Sequence, residues 1–139
     1  MVILTQTDTT VGFLSQNSKE LQNLKSRTSS KPFITVFKTF QDLNVRIPKQ
    51  HKNLIRRAKK TSFIVKDHSF RIAEDKLSSQ ILRNSSWNYS TSANESGKNY
   101  ERNFCIEKAD IIIEDKNSLF EGEASKLLKL GAKKIRRLR

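Results

Sequence analysis

An α/β domain built on a mixed sheet is what this sequence predicts, and three observations carry that prediction. Runs such as Pro32-Phe33-Ile34-Thr35-Val36-Phe37 and Ile111-Ile112-Ile113 have the β-branched and aromatic composition of strands, and strand length. Between such runs lie short stretches with helical spacing and helix-opening residues. The two kinds intermingle along all 139 residues, with no internal repeat, linker or low-complexity tail. A chain of this size and pattern packs as one layered domain.

Taken in order, residues 1–4 read as a first strand, and residues 5–10 leave it. Ser18 is the expected N-cap of a helix running to about Lys25, with Leu21 and Leu24 on one face. Residues 32–37 form a strand with proline at its first position, where no ladder donor is needed. Phe40-Gln41-Asp42-Leu43 fits a short helix. Pro48 would open another, through Arg57, with Leu54 and Ile55 inward and the basic residues outward. Residues 61–66 and 69–73 read as strands joined by the turn Lys66-Asp67-His68. Residues 78–83 fit a short helix and 87–90 a strand, with a polar loop running on to about Asn103. Residues 109–114 read as a buried strand, bounded by Asp115-Lys116-Asn117. At the end of the chain, residues 124–130 have helical spacing and good helix formers.

Composition narrows the function classes. Hydrophobic residues at 35% and charged residues at 29% suit a soluble globular protein. The longest apolar runs fall far short of the roughly 20 residues that a membrane span needs. The first residues lack the basic start and long apolar stretch of a signal peptide. Cys105 is the lone cysteine, so no internal disulfide forms, which fits a reducing cytoplasm. With only His51 and His68 beside it, no ligand set for structural zinc exists. The net charge of +13 is concentrated: residues 46–60 carry seven Lys/Arg and residues 126–139 another seven, with no acid in either stretch. Clustered positive charge attracts phosphate on a nucleotide, on RNA or on an acidic membrane. On charge alone, a solvated lysine-rich surface reads the same way.

The most informative stretch is Ser90-Thr91-Ser92-Ala93-Asn94-Glu95-Ser96-Gly97, a hydroxyl-rich loop directly after the β-prone Trp87-Asn88-Tyr89. A small hydroxyl followed two residues later by an amide, at a strand end, can hold a polar ligand; a plain surface turn has the same composition. This segment resembles the Thr-Ser-Ala-Asn-x-Ser-Gly signature of the YrdC/TsaC family, the threonylcarbamoyl-AMP synthases and their paralogues. Residues 5–14, Thr-Gln-Thr-Asp-Thr-Thr-Val-Gly-Phe-Leu, resemble that family's Pro-Thr-Asp/Glu-Thr-Val-Tyr-Gly-Leu strand-to-loop segment. Lys25-Ser26-Arg27 matches its Lys-x-Arg, and residues 29–34 the polar run and Pro-Leu-Ile strand after it. Residues 60–65 resemble the Thr-Leu-Ile strand, and Phe70-Arg71-Ile72 the Val-Arg-Val strand.

The resemblance implies a YrdC-like open twisted mixed sheet with helices packed on it, in a single domain over residues 1–139, and two strands around Gly131. It implies synthesis of threonylcarbamoyl-AMP and pyrophosphate from L-threonine, bicarbonate and ATP, with Mg2+ accompanying the ATP and no tightly bound cofactor or metal. Such a step chiefly needs positioning and neutralisation of negative charge, because carbamate and triphosphate repel each other. By resemblance, Lys25 and Arg27 are the catalytic residues. They would bind ATP together with Lys31, Thr61, Ser92, Asn94 and Arg139, with Arg137 the other candidate for the last position. Thr7, Thr9, Arg71 and Ser125 would form the threonine pocket. The implied partners are tRNA or double-stranded RNA and other tRNA-modification proteins, in the cytoplasm and with no membrane. The chain departs from the family pattern at several points. Lys31 stands for an asparagine, Val36 for a strand-ending histidine, and Arg57-Ala58-Lys59 for Pro-Gly-Pro. Asn99-Tyr100 replaces Pro-Ser, and Ala124-Ser125-Lys126 replaces Pro-Ser-Thr. The alternatives to a synthase are a YrdC-like paralogue that binds nucleotide or double-stranded RNA without turnover, or a structural partner protein.

Overall fold

In the computed structural model, residues 1–25, 32–72 and 86–139 are described. The expected helix over 78–83 lies outside them, as do Arg27 and Lys31. Nine strands join one sheet: β1 (Ile3–Gln6), β2 (Val11–Ser15), β3 (Ile34–Phe37), β4 (Thr61–Val65), β5 (His68–Ile72), β6 (Trp87–Ser92), β7 (Ile111–Ile113), β8 (Lys126–Leu130) and β9 (Ile135–Arg137). Their order across the sheet is β7-β1-β2-β6-β3-β5-β4-β8-β9. The β1–β7, β3–β5 and β4–β8 pairs are parallel and the others antiparallel, so the mixed α/β class holds. Three helices are seen among the described residues: α1 (Ser18–Lys25), α2 (Lys52–Arg57) and α3 (Arg102–Lys108).

Local chemistry explains where the elements differ from expectation. Residues 11–15 do not continue a loop; they form β2, every residue of which is buried. The reversal before it is closed by the Thr7 hydroxyl, which donates to the Thr10 carbonyl at 2.6 Å and accepts from the Thr9 N–H. The cap of α1 is Asn17, whose Oδ1 accepts the Lys19 N–H at 3.0 Å, so Ser18 is already inside the helix. The expected helix over 48–57 is split into a 3-10 turn at Lys49–His51 followed by α2. The β4–β5 turn is only Lys66-Asp67, with His68 already paired to Val65 and Lys66 at a positive φ of 54°. An unforeseen helix, α3, follows the polar loop and buries Cys105.

The triple-isoleucine strand β7 is not buried. It pairs only with β1 at the sheet edge, leaving Ile111 and Ile112 exposed. Its composition reads as a core strand because burial depends on neighbours on both sides, which composition does not report. At the other end, β8 and β9 are strands flanking Gly131, as the resemblance implies. The parallel pairing of β8 with β4 overrides the helical spacing.

Two apolar clusters hold the sheet. One gathers Leu4, Val11, Phe13, Leu21, Phe33 and Cys105 around β1, β2, α1 and α3. The other gathers Phe37, Ile55, Phe63, Phe70 and Leu130 around β3, β4, β5 and α2. The segment before β8 runs back over the β1–β2 turn. There the Gly122 N–H donates to Thr10 Oγ1 at 2.8 Å and the Val11 N–H to the Phe120 carbonyl. A Cβ on Gly122 would sit 2.2 Å from the Thr9 carbonyl oxygen, a backbone atom that cannot swing aside. Gly122→Ala is expected to cost about 1–3 kcal/mol by overpacking. Urea unfolding with an unchanged midpoint would show that this crossing does not hold the turn.

Arg102 of α3 grips Glu114 with both Nη atoms, at 3.0 and 2.9 Å. Hydrogen bonds from Arg102 and Ser118 hold the Glu114 carboxyl down at about 2. A carboxyl depressed in the folded state stabilises it above the ordinary carboxylate range. That contribution fades as pH falls from the range near 4.5 towards 2. NMR titration of Arg102→Ala should return the Glu114 midpoint towards the ordinary range; a midpoint still near 2 would assign the shift elsewhere.

Candidate functional site

Period-two alternation sorts the strands into an apolar face and a polar one. Phe70 enters the core, whereas its neighbours Ser69 and Arg71 turn to the other face. On β2, Phe13 packs inward and Gly12 faces the same way as Arg71; on β6, Ser90 and Ser92 do so as well. These residues line a cleft of about 720 Å³. Its remaining walls come from Thr7, Thr9 and Thr10 of the β1–β2 turn, residues 32–34, the β4–β5 turn and Ser125 with Arg139. A Cβ on Gly12 would stand 3.2 Å from both Thr7 Cγ2 and the Thr91 carbonyl, tighter than ordinary contact.

The cleft is rich in hydroxyls and is lined by two arginines, Arg71 and Arg139. Arg71, only 5% exposed, sets its Nε 3.1 Å from Asp8 Oδ1. Burial pushes the Arg71 guanidinium below its usual range; Asp8 opposes this, and Arg139 lies near enough to lower it further. Arg139 is steered by Ser125, donating from Nε to the Ser125 carbonyl at 2.9 Å and from Nη2 to Ser125 Oγ at 3.1 Å. Ser125 Oγ in turn lies 2.8 Å from the buried Ser62 hydroxyl. Two arginines among hydroxyls, Arg71 buried and Arg139 exposed, suit an anionic ligand that also carries polar groups.

The polar loop after β6 is built around a lysine. Lys25, at the end of α1 and 6% exposed, donates from Nζ to the Ser92 carbonyl (3.0 Å), the Asn94 carbonyl (2.8 Å) and Asn94 Oδ1 (2.9 Å). Ser92 Oγ donates to the same Oδ1 at 2.6 Å, while Asn94 Nδ2 donates to the Glu95 and Lys98 carbonyls. Ser96 Oγ closes the contact by bonding the Lys25 carbonyl. Residues almost seventy apart in sequence thus meet at one point.

Of the residues expected from the sequence, the cleft brings together Thr7, Thr9, Arg71, Ser92, Ser125 and Arg139. Lys25 and Asn94 join each other at its β6 side but do not line it. Thr61 is buried in β4, donates to the Lys59 carbonyl at 2.8 Å and does not line the cleft either. Arg27 and Lys31 lie outside the described residues. Sequence reasoning overlooked Asp8, Gly12, Lys66, Asp67, Ser69 and Ser90. Alternation could have found Ser69 and Ser90, two residues from Arg71 and Ser92. Asp8 stands inside the Thr7-Asp8-Thr9 segment, and an acid there, given a buried arginine elsewhere, was a usable signal. Among the described residues no three of His, Cys, Asp and Glu gather into a metal-holding group. Nor is any helix long and apolar enough to cross a membrane.

A strand-end cleft with paired arginines on an open nine-stranded mixed sheet defines the class: an α/β protein with an anion-receptive polar cleft. No family model and no curated protein matches the chain. Solved structures do. A doubly substituted Sua5 from P. abyssi matches at a TM-score of 0.81 and 18% identity, over 99% of this chain and 52% of that one. P. abyssi Sua5 complexed with L-threonine matches at 0.78 and 18%, over 99% and 49%. The solution structure of MTH1692 from Methanobacterium thermoautotrophicum matches at 0.73 and 19%, over 99% and 79%. The fold is therefore the short YrdC-like one, and the chain spans about half the length of the Sua5 chains that it matches.

The Lys25 contact is testable on its own. Lys25→Met removes a donor from three acceptors and should destabilise the protein by about 2–3 kcal/mol. Amide exchange should accelerate first in residues 92–98. Protection unchanged there would show that the loop is held by its own turns instead.

Proposed function

We propose that this protein is an L-threonylcarbamoyladenylate synthase acting in tRNA modification. The observation that carries the proposal is the convergence of Arg71, Arg139 and the Thr7, Thr9, Ser92 and Ser125 hydroxyls on one cleft. The fold shared with a Sua5 that was solved with L-threonine supports it. In this reading the amino-acid carboxylate meets Arg71, whose buried guanidinium is ion-paired with Asp8 through Nε. Thr7 and Thr9 border the amino-acid end, and Arg139 meets phosphate. The threonine amine combines with carbon dioxide or bicarbonate to give a carbamate. A carbamate oxygen then attacks the α-phosphorus of ATP, and the bond to pyrophosphate breaks. The residues along this cleft hold two mutually repelling anions together; none of them needs to act as a nucleophile. Mg2+ enters with ATP as the counter-ion of its phosphates. Arg27 and Lys31 would complete the phosphate side.

A second reading has its own support. The Lys25 ammonium, expected on the triphosphate, is engaged by three oxygens of the protein itself. Lys133, Lys134, Arg136 and Arg137 meanwhile stand exposed on and beside β9. A YrdC-like module that binds RNA without turnover would show both features.

The deciding assay is pyrophosphate release from ATP, with and without L-threonine and bicarbonate. A synthase requires both. Arg71→Ala and Arg27→Ala should each lower kcat/KM about a hundredfold, the loss of roughly 3 kcal/mol of charge stabilisation. Substituting Lys133 and Lys134 by alanine should leave turnover near wild type. No threonine-dependent release, together with salt-sensitive RNA binding lost in the Lys133/Lys134 variant, would give the function to the binding module.

A further inference from the structure

The two arginines of the cleft differ in their electrostatic surroundings. Arg71 has a counter-charge: its Nε lies 3.1 Å from Asp8 Oδ1, and both side chains are more than nine-tenths buried. Arg139 has none. Its guanidinium is steered only by the uncharged carbonyl and hydroxyl of Ser125, and no acid pairs with it among the described residues. Neither carboxylate oxygen of Asp8 accepts a hydrogen bond, so its negative charge is met by the Arg71 charge 3.1 Å away and is not dispersed into donors. Nor does Asp8 line the cleft. It borders a neighbouring cavity of about 410 Å³, and Thr7 and Thr9 line both spaces. A ligand in the cleft therefore feels the charge of Asp8 without touching it. The acid that does line the cleft, Asp67, is exposed in the β4–β5 turn beside Lys66, where solvent screens it.

We propose that Asp8 is a specificity-determining residue: by neutralising Arg71 and not Arg139, it reserves Arg71 for the single charge of an amino-acid carboxylate and directs polyphosphate towards Arg139. This rests on the reading of the cleft as an amino-acid and nucleotide site. A carboxylate on Arg71 completes a line of alternating charges, negative, positive, negative. A phosphate or phosphonate dianion at the same place brings a second negative charge up to a buried carboxylate in a poorly solvated wall, where repulsion is weakly screened. The residue acts through Arg71, so it positions and selects; it does not touch the reacting atoms.

Calorimetry on the full chain tests this with three probes at mildly alkaline pH: L-threonine, its analogue with phosphonate in place of carboxylate, and inorganic pyrophosphate. The wild type should prefer L-threonine over the phosphonate by about tenfold or more, the effect of one extra charge near Asp8. Pyrophosphate should leave L-threonine affinity unchanged. In Asp8→Asn the preference should vanish or reverse, with pyrophosphate now competing against L-threonine; Asp8→Glu should restore the wild-type ratio. A merely structural role would weaken both ligands together and leave the ratio alone. Because Asp8→Asn strips a buried arginine of its partner, circular dichroism must show it folded. If it is not, the wild-type ratio and the wild-type pyrophosphate competition still decide. Equal binding of carboxylate and phosphonate by the wild type, or an unchanged ratio in folded Asp8→Asn, overturns the assignment to Asp8 alone. A wild type that binds neither L-threonine nor its phosphonate overturns the reading of the cleft, and this inference with it.

Discussion

A guanidinium taken almost wholly out of water has to meet a carboxylate, and the Arg71–Asp8 pair is the constraint around which the polar face of this sheet is arranged. The two charges come from distant elements: Arg71 from β5 in one half of the sheet, Asp8 from the turn between β1 and β2 in the other. Removing one partner of such a pair leaves an uncompensated buried charge, typically a loss of about 3–5 kcal/mol. The turn carrying Asp8 must therefore be held in place. Three things do so: the Thr7 hydroxyl closing on Thr10, the Phe120 carbonyl on Val11, and the close approach of Gly122 to Thr9. Nε faces Asp8 at 3.1 Å as an ion pair, while Arg71 also lines the cleft.

A second buried cation, Lys25, does a different job with the same physics. Its ammonium donates to two backbone carbonyls and an amide oxygen. A lysine so placed orders the loop that follows β6, because three acceptors from residues 92 and 94 must converge on one nitrogen. Charge is thus used inside the fold to set geometry, whereas the Lys/Arg residues of α2 and of β8–β9 stand largely in solvent. The +13 net charge of the chain is mostly a property of those outer surfaces.

The cleft arises where three parallel or antiparallel ladders turn the same face towards one space. Phe70 and Arg71 are sequence neighbours with opposite fates, as are Phe13 and Gly12. Apolar side chains on one face collect into the two core clusters, and the hydroxyls and arginines on the other are left facing each other. Fold and cleft are two sides of one alternation.

Much of this was legible in the chain itself. Strand composition marked β3, β4, β5 and β6. The polar loop after Tyr89, with Lys25 upstream, carried the family resemblance that the YrdC-like fold agrees with. Short-range chemistry suffices for such readings, because β-branched runs, turn residues and motif spacing are local properties. What the sequence left open depended on neighbours it could not name. Residues 11–15 became a strand because β1 and β6 flank them, and the three isoleucines of β7 stayed exposed because only β1 pairs with them. Residues 126–130 abandoned helical spacing for a ladder with β4. Asp8 became a partner of Arg71 only because the sheet brings β5 and the β1–β2 turn together across some sixty residues of chain. By itself the sequence determined which segments could be strands and which side chains could carry charge. Tertiary structure alone decided which charges are buried, which of them are paired and which face the cleft, since burial and Coulomb energy depend on distances between residues far apart in the chain.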